Sequence, residues 1–300
     1  MVGYLFLTFA LACGAIKGFC GKKTSGFMNE YRDALFANFI RMIVCVIIGF
    51  FVIALTGKIP FLKIDKTIMG ITLLSGITTS AFVVSWLISV RRGAYMMIDV
   101  FLMIGVIVPL VLSSLIFNET IKKSQWIGLV ILIIAVFIMC SYNNQIKEKM
   151  SIAAFLILLL CGIANGLTDF SQKLYVKTVE NGNIAVFNFY TYLFSAALLL
   201  IFYVLTSLKN KGGEGVGTVE LLKNVGLYVL VMSICLFAYS YFKTLAAQSL
   251  SASLLYPLSQ GASLIISTFM SRILFKEKLT ARCIIGIVLS FVGLIIINVL

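Results

Sequence analysis

Histidine is missing from this 300-residue chain altogether. That removes the usual general base of a serine triad, the paired histidines of a zincin and the commonest haem ligand. Charge is scarce too: 12% of residues are charged, where a soluble domain carries about 25%. The seven cysteines lie mostly inside apolar runs and make no Cys-x-x-Cys pair, so they read as small membrane-tolerant side chains and not as a disulfide framework. No basic region precedes the first apolar stretch, so that stretch is expected to stay as a helix and not be cleaved as a signal peptide. The glycine-rich stretch 212–217 has neither a following Lys-Ser/Thr nor a preceding strand. It reads as a flexible linker, not a phosphate cradle. No catalytic residue, metal ligand or cofactor is expected. The net charge of +13 is spread over loops, which argues against a nucleic-acid partner and for orientation signals and contacts with anionic lipid.

What is abundant is apolar sequence. Hydrophobic residues make up 61% of the chain, in runs of about 20, the length that crosses a ~30 Å hydrocarbon core as helix. The runs do not alternate apolar with polar, so a barrel is excluded and helices remain. Five segments fall at Val2–Cys20, Ala34–Thr56, Thr67–Val90, Gly93–Phe117 and Ser124–Ser141. Five more fall at Ser151–Leu174, Ile184–Ser207, Val225–Thr244, Leu250–Phe275 and Leu279–Val299.

The two sets are copies of one another. Phe117-Asn118-Glu119-Thr120-Ile121-Lys122 runs into Gly128, and Phe275-Lys276-Glu277-Lys278-Leu279-Thr280 runs into Gly286. Phe, Glu and Gly match at one offset. CGAIKG at Cys13–Gly18 returns as CGIANG at Cys161–Gly166. A repeat sets the whole architecture. The expected fold is an all-α integral membrane protein of ten transmembrane helices, arranged as two five-helix repeats over 1–142 and 151–300. An odd-numbered repeat forces the second copy to enter from the opposite side, so the repeats are expected to be inverted.

Arg41 early in the second segment, the Phe-x-Glu turns, the run Ser251-Ala252-Ser253 with Leu255-Tyr256-Pro257, and the duplication itself occur together in order. In these the chain resembles the drug/metabolite transporter superfamily, EamA-like branch, over nearly its whole length. The resemblance implies a solute carrier whose cavity lies between the halves, lined mostly by the first, third, fourth, sixth, eighth and ninth segments. It does not imply a particular substrate. One departure stands out: the first-half counterpart of Pro257 is Asp99, where the family pattern has an apolar residue or proline.

Charge inside a membrane is costly and marks function. With both termini on side A and the opposite face named side B, Arg41 and Asp99 lie roughly 10 and 9 Å deep from side B, by helical rise. Lys17 comes within roughly 8 Å of the same face. Lys17, Arg41 and Asp99 therefore share a layer, either as a cluster or, for the two long cations, by snorkelling. Their second-half counterparts Asn165, Tyr192 and Pro257 are uncharged. Asn165, Asp169 and Gln172 form one polar stripe, and Tyr256, Ser259, Gln260 and Ser263 another, each the expected look of a cavity wall. Asp169 has an alternative as the partner of Lys173, four residues on. Gly14-x-x-x-Gly18 and Gly162-x-x-x-Gly166 serve either close helix packing or a moving cavity wall.

The expected protein is a multi-pass carrier of the cell membrane, monomer or homodimer, bathed in the lipid bilayer. It moves a small polar or amphipathic metabolite by alternating access, with Asp99 or Asp169 available for proton coupling. The alternative is a non-transporting partner subunit, or a flippase for a lipid-linked intermediate. The first expects polar stripes converging on a closed cavity, the second a groove open to lipid. The larger share of Lys and Arg falls on side B, which by the positive-inside rule is cytoplasmic, whereas the resemblance implies cytoplasmic termini.

Overall fold

The computed structural model describes residues 2–28, 30–56, 62, 65–92, 95–140, 152–179, 182–209, 218–276 and 281–299. Glu277 through Thr280 of the repeated turn and the glycine-rich stretch 212–217 lie outside the described residues. Among those described, the elements are α-helices. The first half holds α1 (Val2–Ser25), α2 (Tyr31–Leu55), α3 (Lys66–Arg92), α4 (Tyr95–Gly105), α5 (Ile107–Phe117) and α6 (Lys123–Cys140). The second holds α7 (Ile152–Thr178), α8 (Ile184–Lys209), α9 (Thr218–Ser249), α10 (Ala252–Ile273) and α11 (Ala281–Val299). Spans within α1, α2, α3, α7, α8 and α9 are long and apolar enough to cross a membrane. α10 is not among them, because its serines, Tyr256 and Gln260 dilute its hydropathy. Outward-facing apolar side chains such as Leu55, Ile152 and Leu115 suit lipid and would be a liability in water.

Local sequence explains where the helices begin. Asp33 accepts the Glu30 backbone N–H at 3.0 Å ahead of α2. Asp65 accepts the Ile68 N–H at 2.7 Å ahead of α3, and Asn183 accepts the Ala185 N–H at 2.9 Å ahead of α8. Each satisfies a donor the first turn leaves without a partner.

One expected element is corrected. The stretch Gly93–Phe117, expected as a single segment, is two helices broken at Val106. Pro109 is the cause: it has no N–H to give the Gly105 carbonyl, and its ring crowds that carbonyl. Pro257, by contrast, sits inside an unbroken α10.

Helices of one half find their main partners in the other, and in matched pairs. α1 packs on α9 as α7 packs on α3; α3 meets α8 as α9 meets α2; α2 pairs with α8, and α6 with α11. The repeated turns agree down to the backbone, with Asn118 at φ 52° and its counterpart Lys276 at φ 54°. Both lie in the left-handed region, which Asn tolerates more readily than Lys.

The match fails at one crossing. α4 and α5 lie tightly on α7, whereas α10 meets α1 much less extensively. A Cβ on Gly162 would collide with the Phe101 carbonyl, one on Gly105 with the Gly162 carbonyl, and one on Gly166 with the Gly105 carbonyl. The second-half small-residue ladder is therefore a close-packing surface. The first-half ladder is not: Gly14 and Gly18 line a cavity.

Candidate functional site

Polar side chains from α1, α3, α4, α7, α8, α9 and α10 converge on a chamber between the halves. It consists of two cavities of about 30 Å³ each, and Lys17, Phe82, Asn165 and Tyr239 border both. A volume of that size holds a water or two, so this conformation is closed around its polar centre. The expected lining helices are all present, and α8 joins them through Thr191 and Tyr192.

Lys17 turns inward. Its Nζ lies 4.3 Å from the centroid of the Tyr239 ring and 5.8 Å from that of Phe82, an arrangement in which ring quadrupoles replace part of the lost hydration. Asp99, on α4, lines the same cavity as Lys17, Asn165 and Gln260 and is buried. Among the described residues no ion pair joins Lys17 to Asp99. Arg41 borders neither cavity. It is buried beside α2 and α3, where its Nη1 donates to Asn38 Oδ1 at 3.0 Å and the Asn38 amide donates in turn to the Val83 carbonyl at 3.3 Å. Of the three-charge layer, Lys17 and Asp99 line one cavity and Arg41 lines neither.

The second-half stripes divide similarly. Asn165, Asp169 and Gln172 all face the chamber, and Gln260 faces it from α10. Gln172 Nε2 donates to Ser240 Oγ at 3.2 Å, and that hydroxyl donates to Asn188 Oδ1 at 2.7 Å. Ser259 is buried and borders neither cavity. Tyr256 is fully buried, and its hydroxyl donates to the Asp169 carbonyl oxygen at 2.7 Å, tying α10 to α7.

The partner of Asp169 is a correction. Lys173 does not hold it; Lys243 on α9 does, at 2.7 Å, with both side chains almost wholly buried. Lys243 also donates to the Tyr239 hydroxyl at 3.1 Å, so one tyrosine presents its face to Lys17 and its hydroxyl to Lys243. The helical spacing of Asp169 and Lys173 suggested a local pair, but Lys173 points toward the end of the bundle and meets Glu119 at 3.2 Å. Lys173 also donates to the Ala247 and Leu250 carbonyls, at 3.1 and 2.7 Å, closing the C-terminus of α9. The second carboxylate oxygen of Glu119 accepts the Ala252 N–H at 2.8 Å and closes the N-terminus of α10. Anion and cation each sit at the helix end whose dipole they complement. Lys173 and Lys243 thus do not act as loop cations. Sequence reasoning passed over Lys243, Tyr239 and Glu119 as site residues; the recurrence of Glu119 in the Phe-x-Glu turn was the visible signal.

Several polar atoms in the chamber wall have no hydrogen-bond partner among the described residues: Asn165 Nδ2, Asp169 Oδ2, Gln172 Oε1 and the hydroxyls of Ser75, Thr79 and Thr191. Buried polar groups in native proteins are normally satisfied, so this concentration of exceptions sets the chamber wall apart as the candidate site. A second, larger space lies elsewhere. A groove of about 600 Å³ opens between α2, α3, α7 and α8, walled by apolar side chains such as Val84, Ile88 and Leu198, with Glu30 and Tyr31 among its lining residues.

Comparison with solved structures gives the fold. Twenty-eight chains match. One, described as "Crystal structure of protein", is 12% identical, with a TM-score of 0.68 over 99% of this chain and 96% of its own. Comparison with curated proteins gave no match. The EamA-like transporter family profile matches residues 1–141 and again residues 151–299. Two matches in tandem, over nearly every residue of a helical chain duplicated in its own sequence, place this multi-pass membrane protein in the EamA-like transporter family.

Proposed function

We propose that the chain is a secondary carrier that moves a small polar or amphipathic metabolite by alternating access, its two halves related as inverted copies. The observation that carries this reading is the unequal crossing of equivalent helices. Gly105 of α4 is seated against Gly162 and Gly166, backbone on backbone. Its counterpart in α10 is Ser263, at the offset of the Phe-x-Glu turns, and Ser263 faces Gly14 and Gly18 across a cavity. One crossing is shut and the other ajar. Exchange of the two states would carry the chamber from one face to the other without any new fold. Of the two chamber carboxylates, Asp99 is the one free to exchange a proton, because Asp169 is held by Lys243.

The test is independent of the solute. In a background cleared of native cysteines, Gly18→Cys and Ser263→Cys are joined by a short cross-linker, shutting the α1–α10 crossing. Thr168→Cys reports from the chamber wall, and its alkylation is read from each side of the membrane. Cross-linking is expected to move that accessibility from one face to the other; labelling unchanged on both faces would defeat the reading.

The lipid-facing groove favours a second reading, in which an amphipathic solute or lipid-linked intermediate reaches the interior sideways. Narrowing the groove by Ala81→Trp separates the two: sideways access fails, and access from water survives.

A further inference from the structure

We propose that the apolar groove between α2, α3, α7 and α8 is a lipid site, holding one acyl chain of a phosphatidylethanolamine whose ammonium meets Glu30. A groove needs no transport cycle to hold a lipid, so this stands apart from the carrier reading. The space measures about 600 Å³. Tyr31, Ile77, Leu160 and Phe202 along it are each about half exposed, so it opens on the lipid-facing surface. Along α3 it runs from Ile77 to Ile88, roughly 16 Å by helical rise and about half of a ~30 Å hydrocarbon core. Ile88 lies one turn from the end of α3, and Glu30 immediately precedes α2 at the same end of the bundle. The groove therefore descends through one leaflet, starting at headgroup level.

The walls narrow what fills it. Its two serines are already satisfied: Ser80 Oγ lies 2.8 Å from Ser195 Oγ, and Ser85 donates to the Ala81 carbonyl at 2.6 Å. Among the described residues that line the groove, none carries an unpartnered buried polar atom, in contrast to the chamber. Water gains nothing in such a place, and a polar solute finds no partner below the mouth. Left empty, the groove forfeits contacts along every wall. The stretches 141–151 before α7 and 210–217 after α8 are polar or glycine-rich in sequence, and so unsuited to an apolar slot. An acyl chain is the filler that a bilayer always supplies. The mouth then selects the headgroup. Glu30 is the charged residue of the lining, and among the described residues no ion pair holds it. Its carboxylate attracts a headgroup that carries a positive charge and repels a wholly anionic one. A primary ammonium also donates charge-assisted hydrogen bonds to it, which a quaternary choline cannot. The Tyr31 hydroxyl beside it can donate to the phosphate. Cations at this end, such as Lys23 in the last turn of α1, attract the phosphate common to all phospholipids, so Glu30 carries the discrimination.

The experiment uses the full chain, purified in detergent and stripped of lipid. Native mass spectrometry reads its binding from an equimolar mixture of phosphatidylethanolamine, phosphatidylcholine and phosphatidylglycerol with identical acyl chains. The first lipid bound is expected to be phosphatidylethanolamine, by at least fivefold over either competitor. Glu30→Gln is expected to bring that preference below twofold while Glu30→Asp keeps it, which separates lost charge from lost folding. Ala81→Trp, which fills the groove, is expected to remove the tightly held lipid whatever its headgroup. Dodecylamine, an ammonium on a single chain without phosphate, is expected to compete at least tenfold more weakly than phosphatidylethanolamine. If the native chain shows no preference among the three lipids, what it holds is ordinary surrounding lipid and the proposal falls. If the preference survives Glu30→Gln or Ala81→Trp, the lipid sits elsewhere and the proposal falls. If dodecylamine competes as well as phosphatidylethanolamine, the groove takes any aliphatic amine and the assignment to a membrane lipid falls.

Discussion

Asp169 and Lys243 show how much one contact can matter when no water is near. The pair is 2.7 Å long and buried from every side. Removing one partner of a buried pair strands the other, at a cost of about 3–5 kcal/mol, whereas replacing both with apolar groups is often neutral. Asp169→Asn and Lys243→Met are therefore each expected to lower Tm sharply, and the double variant to recover most of the loss. Tm of the three purified variants checks it; a loss in the double variant equal to the sum of the two single losses would mean the charges stand independently. The sequence offered Asp169 plainly, as an acid on a polar stripe. It hid Lys243, because a lysine one residue from the expected end of a segment at Thr244 looks like a loop charge. α9 in fact runs on to Ser249, which puts Lys243 well inside. A misjudged helix end thus concealed the partner.

Among the elements, the break between α4 and α5 is the feature on which packing turns. Pro109 frees the Gly105 carbonyl, and that carbonyl lies where Gly166 has no side chain. Gly166→Leu is expected to drive the helices apart, costing at least about 1–3 kcal/mol of overpacking and abolishing uptake. Gly14→Ala, which would meet only the Tyr239 ring edge at 3.3 Å, is expected to be much milder. Tm and uptake measured on both variants decide whether the two ladders differ as described. Glu119 makes a second test at this scale. Glu119→Gln keeps an acceptor for the α10 N-terminus and loses the charge facing Lys173, while Glu119→Ala loses both. The order of Tm is expected to be native, Gln, Ala, the last step reflecting a missing cap of about 1 kcal/mol. A reversed order would show that capping is not what Glu119 contributes. The existence of these helices was legible in apolar run length. The break was not, because a 25-residue apolar run reads as one span unless its proline is weighed against the carbonyl four residues back.

At the scale of the molecule, the repeats are units of sequence and not units of stability. α1 rests on α9, α2 on α8, α3 on α7 and α6 on α11, so either half alone would lack most of its packing surface. Residues 1–141 expressed alone are expected to be degraded, and co-expression with 151–300 to restore them; protein level with and without the second half measures this. The duplication was readable from two short phrases. The interleaving was not, because periodicity within a segment shows which face is polar and says nothing of which helix covers it. That interleaving also gives the chain a schedule. Glu119 leaves the ribosome 133 residues before Ala252, the amide it caps. Until then the acid waits at the end of α5 with its helix-capping role unfilled. The turn that holds the finished protein together is made before the midpoint of synthesis and fastened only near the end, which leaves the nascent first half dependent on whatever shelters unpaired helices at the site of insertion.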